Sequence, residues 1–304
     1  MLNYIHIARI DHWIKNIFAI PGIILALMMF GSFEQLSISR LLIGMAALCF
    51  LSSANYTINE FLDREFDSYH PIKKNRPGAK GELKGILVLL QYIIISGLGL
   101  LLSWTINENF FLVGTILLTM GIIYNVEPIR SKDRAYLDVL SESINNPLRL
   151  LLGWFTVVNS GFPPSSILIS YWMGGAFLMA TKRLSEYKMI ADKVVAGSYR
   201  KSFRHYTEDS LLVSAFFYAL NSTFFLGIFL IKYRIEYLLL FPLIAVLFAW
   251  YLQISFKNDS AAQAPEKLYK ESALLMYVGF IAVAAIFLSY IDIPWLHILQ
   301  EPIY

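Results

Sequence analysis

The chain has 304 residues, of which 57% are hydrophobic and only 15% charged. A soluble domain carries about 25% charged residues, so the composition excludes an ordinary globular protein and indicates an integral membrane protein. The formal net charge of +3 is too small to suggest nucleic-acid binding. The single cysteine, Cys49, excludes a disulfide framework and a cysteine metal site.

Apolar stretches near the roughly 20 residues needed to cross a bilayer fall at about 16–31, 40–62, 84–104, 110–127, 137–158, 166–184, 208–231, 237–256 and 273–290. They predict an all-α, integral membrane bundle of about nine transmembrane helices, because lipid satisfies backbone polar groups only in helices or closed barrels. The first stretch has no small-residue cleavage site after it and is expected to be a retained helix rather than a signal peptide. No linker separates two domains, so residues 1–304 are expected to form a single polytopic domain with cytoplasmic loops at 63–83, 128–136 and 182–207. Trp104, Trp172, Trp250 and Trp295 lie near helix ends, as aromatic-belt residues do.

Lys and Arg set the orientation. Arg9 and Lys15 precede the first predicted helix, and Arg64, Lys73, Lys74, Arg76, Lys80 and Lys84 follow the second. Arg130, Lys132 and Arg134 follow the fourth, a run from Lys182 to Arg204 follows the sixth, and Lys257, Lys267 and Lys270 follow the eighth. The opposite loops hold Arg40, Lys232 and Arg234. By the positive-inside rule the chain sits in the cell inner (plasma) membrane with a cytoplasmic N-terminus and a C-terminus outside.

The chemistry is densest from Asn55 to Gly81. Asn55, Asn59, Asp63 and Asp67 recur every four residues and keep to one slowly drifting helical face that offers oxygen ligands. His70, Lys73, Lys74, Arg76 and Lys80 follow in a stretch broken by Pro71, Pro77 and Gly78. Carboxylates and side-chain amides suit Mg²⁺, which is commonly completed by substrate phosphate oxygens, and the cations suit the remaining phosphate charge. The pattern points to a magnesium and diphosphate site.

Further along, Asp138, Glu142, Asn146 and Arg149 share a helical face. Arg149 is expected a turn or more inside the membrane, where a charge faces the bundle interior, and either Glu142 or a bound phosphate pairs with it. Tyr124, Arg130 and Lys132 either reach a phosphate or only set topology. Lys182, Arg183 and Glu186, with Arg200, Arg204, His205 and Tyr206 beyond, form either a solvated amphipathic segment or a phosphate site. Arg9, Trp13, Lys15 and Asn16 make a further polar group, or a membrane-surface anchor. The histidines show no zinc spacing. A lipid or ion transporter would keep such polar residues near the midplane on interrupted helices, whereas here they gather at the cytoplasmic ends.

These residues resemble the UbiA superfamily of intramembrane transferases along essentially the whole chain. The family's first motif, Asn-Asp-x-x-Asp-x-x-x-Asp, stands here as Asn59-Glu60-x-x-Asp63-x-x-x-Asp67, with Glu replacing the first Asp. The resemblance implies that Asn59, Asp63 and Asp67, and also Glu60, hold Mg²⁺ against a diphosphate. Most aromatic prenyltransferases of the family carry a second Asp-rich motif after the sixth helix, where this chain has Lys182-Arg183-Leu-Ser-Glu186. That element, with His70-Pro71-x-Lys73-x-x-Arg76-Pro77 and the Arg9, Trp13, Lys15, Asn16 group, is similar to the branch that makes polyprenyl-phosphoryl 5-phosphoribose. The resemblance thus implies phosphoribosyl diphosphate as donor and polyprenyl phosphate as acceptor. The residue pattern and the resemblance together make Lys15, Asn55, His70, Lys73, Lys74, Arg76, Tyr124, Asp138, Arg149, Lys182, Arg183 and Glu186 the expected substrate-binding residues, although the Asn145 to Arg149 run has no counterpart in the branch. The alternative is prenyl transfer from a polyprenyl diphosphate to an aromatic or other small acceptor.

Overall fold

The computed structural model describes residues 2–30, 37–257, 260–263, 268 and 270–299. Lys267 and the extreme C-terminus, on which part of the expected orientation falls, lie outside the described residues. Among the described residues the chain is helical throughout, without a strand. Seven helices among the described residues are long and apolar enough to cross a membrane. The chain divides into two compact units, residues 1–163 with 190–207, and residues 164–189 with 208–304.

The first unit opens with α1 (Leu2–Ile7), a 3-10 segment (Ile10–Ala19) and α2 (Ile20–Phe30). The long helix α3 (Ile38–Leu62) begins at Ser37, whose hydroxyl accepts the Arg40 amide, a helix N-cap. It packs along α5 (Gly85–Ile106), α6 (Glu108–Asn125) and α8 (Asn145–Val157). Asn107 caps α6 by accepting the Phe110 amide at 2.7 Å. Leu48, Leu51, Phe110, Leu117, Leu152, Trp154 and Phe155 form the buried centre of this unit. The backbones of α2 and α8 touch, because a Cβ at Gly22 would fall on the Leu150 carbonyl and one at Gly153 on the Ala19 carbonyl. Small residues at a membrane helix crossing permit such an approach.

Three predicted boundaries change. The 137–158 stretch is not one uninterrupted helix but α7 (Leu137–Ser143) and α8, with Ile144 between them. Pro147 has no amide hydrogen to give the Ser143 carbonyl, which accounts for the interruption. Asp67 does not continue α3 but lies on the short α4 (Arg64–Asp67), after Asp63 ends α3. The expected loop at 182–207 is largely helical. Its first residues belong to α9 (Ser165–Ile190), and α10 (Lys193–Tyr199) follows, capped by Asp192 accepting the amides of Val194 and Val195.

The second unit holds α9, α11 (Glu208–Tyr233), α12 (Phe241–Ser255) and α13 (Ser272–Tyr290). Ser170 and Ser222 each donate to the other's carbonyl at 2.9 Å, tying α9 to α11. Tyr277 donates to the Leu243 carbonyl at 3.0 Å, and the Arg234 guanidinium ties the end of α11 to the Leu288 and Ile291 carbonyls. Such interhelical hydrogen bonds matter where no water competes for the donors.

Candidate metal and phosphate site

Everything brought together here belongs to the first unit. Asp63 ends α3, and its Oδ1 accepts Arg130 Nη2 at 2.9 Å and the Lys132 ammonium. Its Oδ2 accepts Asn59 Nδ2 at 3.2 Å. Asn59 also donates to Asn125 Oδ1 at 2.6 Å, and Lys132 donates to that same oxygen at 2.7 Å. Arg130 and Lys132 sit on the loop after α6 and are both buried. Arg130 adopts φ 31, an unfavourable left-handed backbone for a side chain with a Cβ. That turn aims its guanidinium back at Asp63, and such strain persists only where surrounding contacts over-determine it.

One helical turn on, Asp67 is buried and its Oδ2 accepts Arg76 Nη1 at 2.7 Å. His70 accepts the amides of Ile72 and Lys73 at its Nδ1, which shapes the turn delivering Lys73. Lys73 donates to the Tyr199 hydroxyl and stands 4.7 Å from that ring's centroid. Lys74 is exposed and joins none of these side chains.

The carboxyls differ in charge balance. Burial works against ionising Asp63, but Lys132 and Arg130 outweigh it and hold the group below the usual carboxylate range. For Asp67 burial outweighs the help of Arg76 and Lys73, the Asp63 charge opposes it too, and its carboxyl is pushed up. Burial lowers Lys132 to about 8, against the pull of Asp63 and assisted by the like charges of Arg130 and Arg200. Asp67 is therefore less fully compensated than Asp63. The available donors are hard oxygens from Asp63, Asp67 and Asn59, whereas Asn55 Oδ1, two turns back on α3, accepts no hydrogen bond but lies against Gly121 of α6. A divalent cation such as Mg²⁺, which takes one or two carboxylates and leaves positions for water and phosphate oxygens, fits this set.

Glu60, the replaced position of the motif, is engaged elsewhere. Its Oε2 accepts Arg9 Nη2 at 2.7 Å and Arg9 Nε at 3.0 Å, with both side chains largely buried. Asn55 Nδ2 donates to the Leu117 carbonyl. Tyr124 donates to Glu142 at 2.7 Å and accepts Arg200 Nη1 at 3.3 Å. Asp138 is fully buried and accepts Ser202 at 3.1 Å and Tyr206 at 2.8 Å, with Arg200 at 3.7 Å. Asp138 thereby anchors the 200–206 segment. Lys15 lies 3.2 Å from His12 Nδ1 and 5.9 Å from the Tyr56 ring centroid, and Arg149 Nε donates to Asn16 at 3.3 Å. Lys182, Arg183 and Glu186 belong to α9 in the second unit, where Arg183 and Glu186 form a buried pair at 3.1 Å.

Asn125 and Tyr199 join the site without a signal in the sequence. Asn125 ends an apolar helix with no charged neighbour on its own turn. Tyr199 is one aromatic among eighteen tyrosines, and only its adjacency to Arg200 sets it apart.

The sequence profile described as the UbiA prenyltransferase family matches residues 19–281. The chain belongs to the UbiA prenyltransferase family. Members of that family are transferases, and this chain is a multi-pass membrane protein with the UbiA fold. A UbiA homologue from Archaeoglobus fulgidus bound to DMAPP and Mg²⁺ superposes with a TM-score of 0.71 at 21% identity, covering 95% of this chain and all (100%) of that one. Among curated relatives, the nodulation protein NoeC of Azorhizobium caulinodans is 28% identical over 186 residues, 61% of this chain and 57% of NoeC. The decaprenyl-phosphate phosphoribosyltransferase of Mycolicibacterium smegmatis is 25% identical over 205 residues, 67% of this chain and 62% of that protein. The chain thus spans about three fifths of the length of these UbiA-family relatives.

Proposed function

We propose that the protein is a Mg²⁺-dependent transferase of the inner membrane that moves a 5-phosphoribosyl group from phosphoribosyl diphosphate to a polyprenyl phosphate at the cytoplasmic face. The observation that carries the choice of donor is the pair at Arg183 and Glu186. Where many family members place a second Asp-rich motif, the one carboxylate of this element is already bound to a guanidinium. That leaves Asp63 and Asp67 as the carboxylates offered to a metal–diphosphate. Similarity to the mycobacterial phosphoribosyltransferase supports the same reading.

Asp63, Asp67 and Asn59 would hold Mg²⁺. The ion would neutralise the diphosphate and stabilise it as a leaving group. Arg76 and Lys73 stand beside Asp67, and Arg130 and Lys132 beside Asp63. Exchange of these carboxylate contacts for phosphate oxygens would let the four cations carry the charge that develops as the bond to ribose C1 breaks. Catalysis is then electrostatic and positional. The acceptor phosphate is already an oxyanion, so its attack needs no strong base.

Purified protein in detergent, given Mg²⁺, a polyprenyl phosphate and radiolabelled phosphoribosyl diphosphate, is expected to pass label into the lipid extract. EDTA and Asp63→Asn should each abolish that transfer. The second reading, prenyl transfer, draws support from the DMAPP-bound structural neighbour. It replaces the first if no label reaches the lipid and a polyprenyl diphosphate is consumed when an aromatic acceptor is supplied.

A further inference from the structure

Five cations around the metal site are paired with acids: Arg9 with Glu60, Arg76 with Asp67, Arg130 and Lys132 with Asp63, Arg200 with Asp138. Arg149 differs. Among the described residues it makes no salt bridge, and its hydrogen bond runs from Nε to Asn16 Oδ1 at 3.3 Å. Its two Nη groups, the end of the fork that grips oxyanions, have no hydrogen-bond partner among the described residues.

The setting is built rather than incidental. Asn16 is 1% exposed and its Oδ1 accepts Ser52 Oγ at 3.1 Å as well as Arg149, while its Nδ2 faces Cys49 Sγ. A buried amide thus orients the guanidinium with its acceptor end. The contact of α8 with α2 through Gly153 and Gly22 holds Arg149 at this level. Ser52 is eleven residues before Asp63 on α3, which places the group about 16 Å down the helix from the metal site, well inside a hydrocarbon core of about 30 Å. An arginine there costs about 2.5–3.5 kcal/mol on insertion scales and marks a functional site by default. Ser52, Tyr56 and Asn59 share one face of α3 with Asp63.

Resting on the phosphoribosyl reading, we infer that Arg149, oriented by Asn16 and Ser52, is a second anion subsite that takes a phosphate monoester. The planar fork suits two phosphate oxygens. Both substrates of the proposed reaction supply such a group: the acceptor as its lipid headgroup, the donor as its 5-phosphate.

The test measures binding to the full chain in detergent with Mg²⁺, for wild type, Arg149→Gln and Asn16→Asp. The Asp at position 16 would give Arg149 an internal counter-charge that competes with the ligand and leaves packing intact. Four probes are used: a short polyprenyl monophosphate, the matching polyprenyl alcohol, phosphoribosyl diphosphate and inorganic diphosphate. Both variants are expected to weaken one monoester probe by about tenfold or more, with the alcohol and inorganic diphosphate unchanged. A loss on the polyprenyl monophosphate assigns the lipid headgroup. A loss on phosphoribosyl diphosphate assigns the 5-phosphate. Unchanged binding of both monoesters overturns the subsite, and so does a loss that extends equally to the alcohol and inorganic diphosphate. If the monoester effect is present but no ribosyl group is ever transferred, the subsite stands and the reaction assigned above falls.

Discussion

Asp63 and Asp67 share a motif but not an environment. Asp63 is bridged to Asn125 by both Asn59 and Lys132, whereas at Asp67 burial outweighs the help of Arg76 and Lys73. Asp67→Asn removes a carboxylate that the folded protein already disfavours, so it should retain membrane insertion and thermal stability while losing turnover. Full activity in that variant would remove the metal-site argument. Glu60 makes the opposite prediction. Its Oε2 is committed to Arg9, so Glu60→Gln leaves a largely buried guanidinium without its charge partner and should cost about 3–5 kcal/mol of stability, read by thermal unfolding in detergent. Binding of Mn²⁺ as a Mg²⁺ substitute to the folded fraction should stay close to wild type. A large loss of metal affinity would make Glu60 a ligand instead. The spacing of these residues was legible in the sequence. The division of labour among them was not, because Arg9 reaches Glu60 across 51 residues.

At the scale of elements, two close contacts set where side chains of α8 stand relative to α2 and α3. Gly153 lies against the Ala19 backbone and Gly22 against the Leu150 backbone. Gly153→Val would force these helices apart at a cost of about 1–3 kcal/mol or more, measurable as a lowered unfolding temperature. Arg149, one turn from Gly153, should then lose its hydrogen bond to Asn16. Hydropathy predicted a single span over 137–158, and the observed break at Ile144 was signalled by Pro147 alone. The helical character of 182–190 was hidden for a different reason. Lys182, Arg183 and Glu186 look like solvated residues until tertiary packing buries Arg183 and Glu186 against each other.

For the molecule as a whole, the charge asymmetry predicts which loops share a side of the membrane. In a Cys49→Ser background, Lys80→Cys should react with an impermeant thiol reagent only from the cytoplasmic side, and Ser160→Cys only from the opposite side. Both positions are exposed. Labelling of both from one side would overturn the orientation and with it the cytoplasmic placement of the phosphate chemistry. The UbiA fold was legible in the amino-acid sequence, since the apolar stretches and the motif at the end of α3 are local properties of the chain.

What the sequence determined by itself was therefore what depends on neighbours within a turn or within one bilayer thickness: membrane residence, helical class, and the spacing of Asn59, Asp63 and Asp67. Tertiary structure alone decided the pairings. Lys132 reaches Asp63 over 69 residues, Tyr206 reaches Asp138 over 68 and Arg149 reaches Asn16 over 133. A charge pattern does not say which acid a cation will meet. That choice is made when helices pack, because inside the first unit an ion or amide must find its partner among the side chains that packing brings within reach.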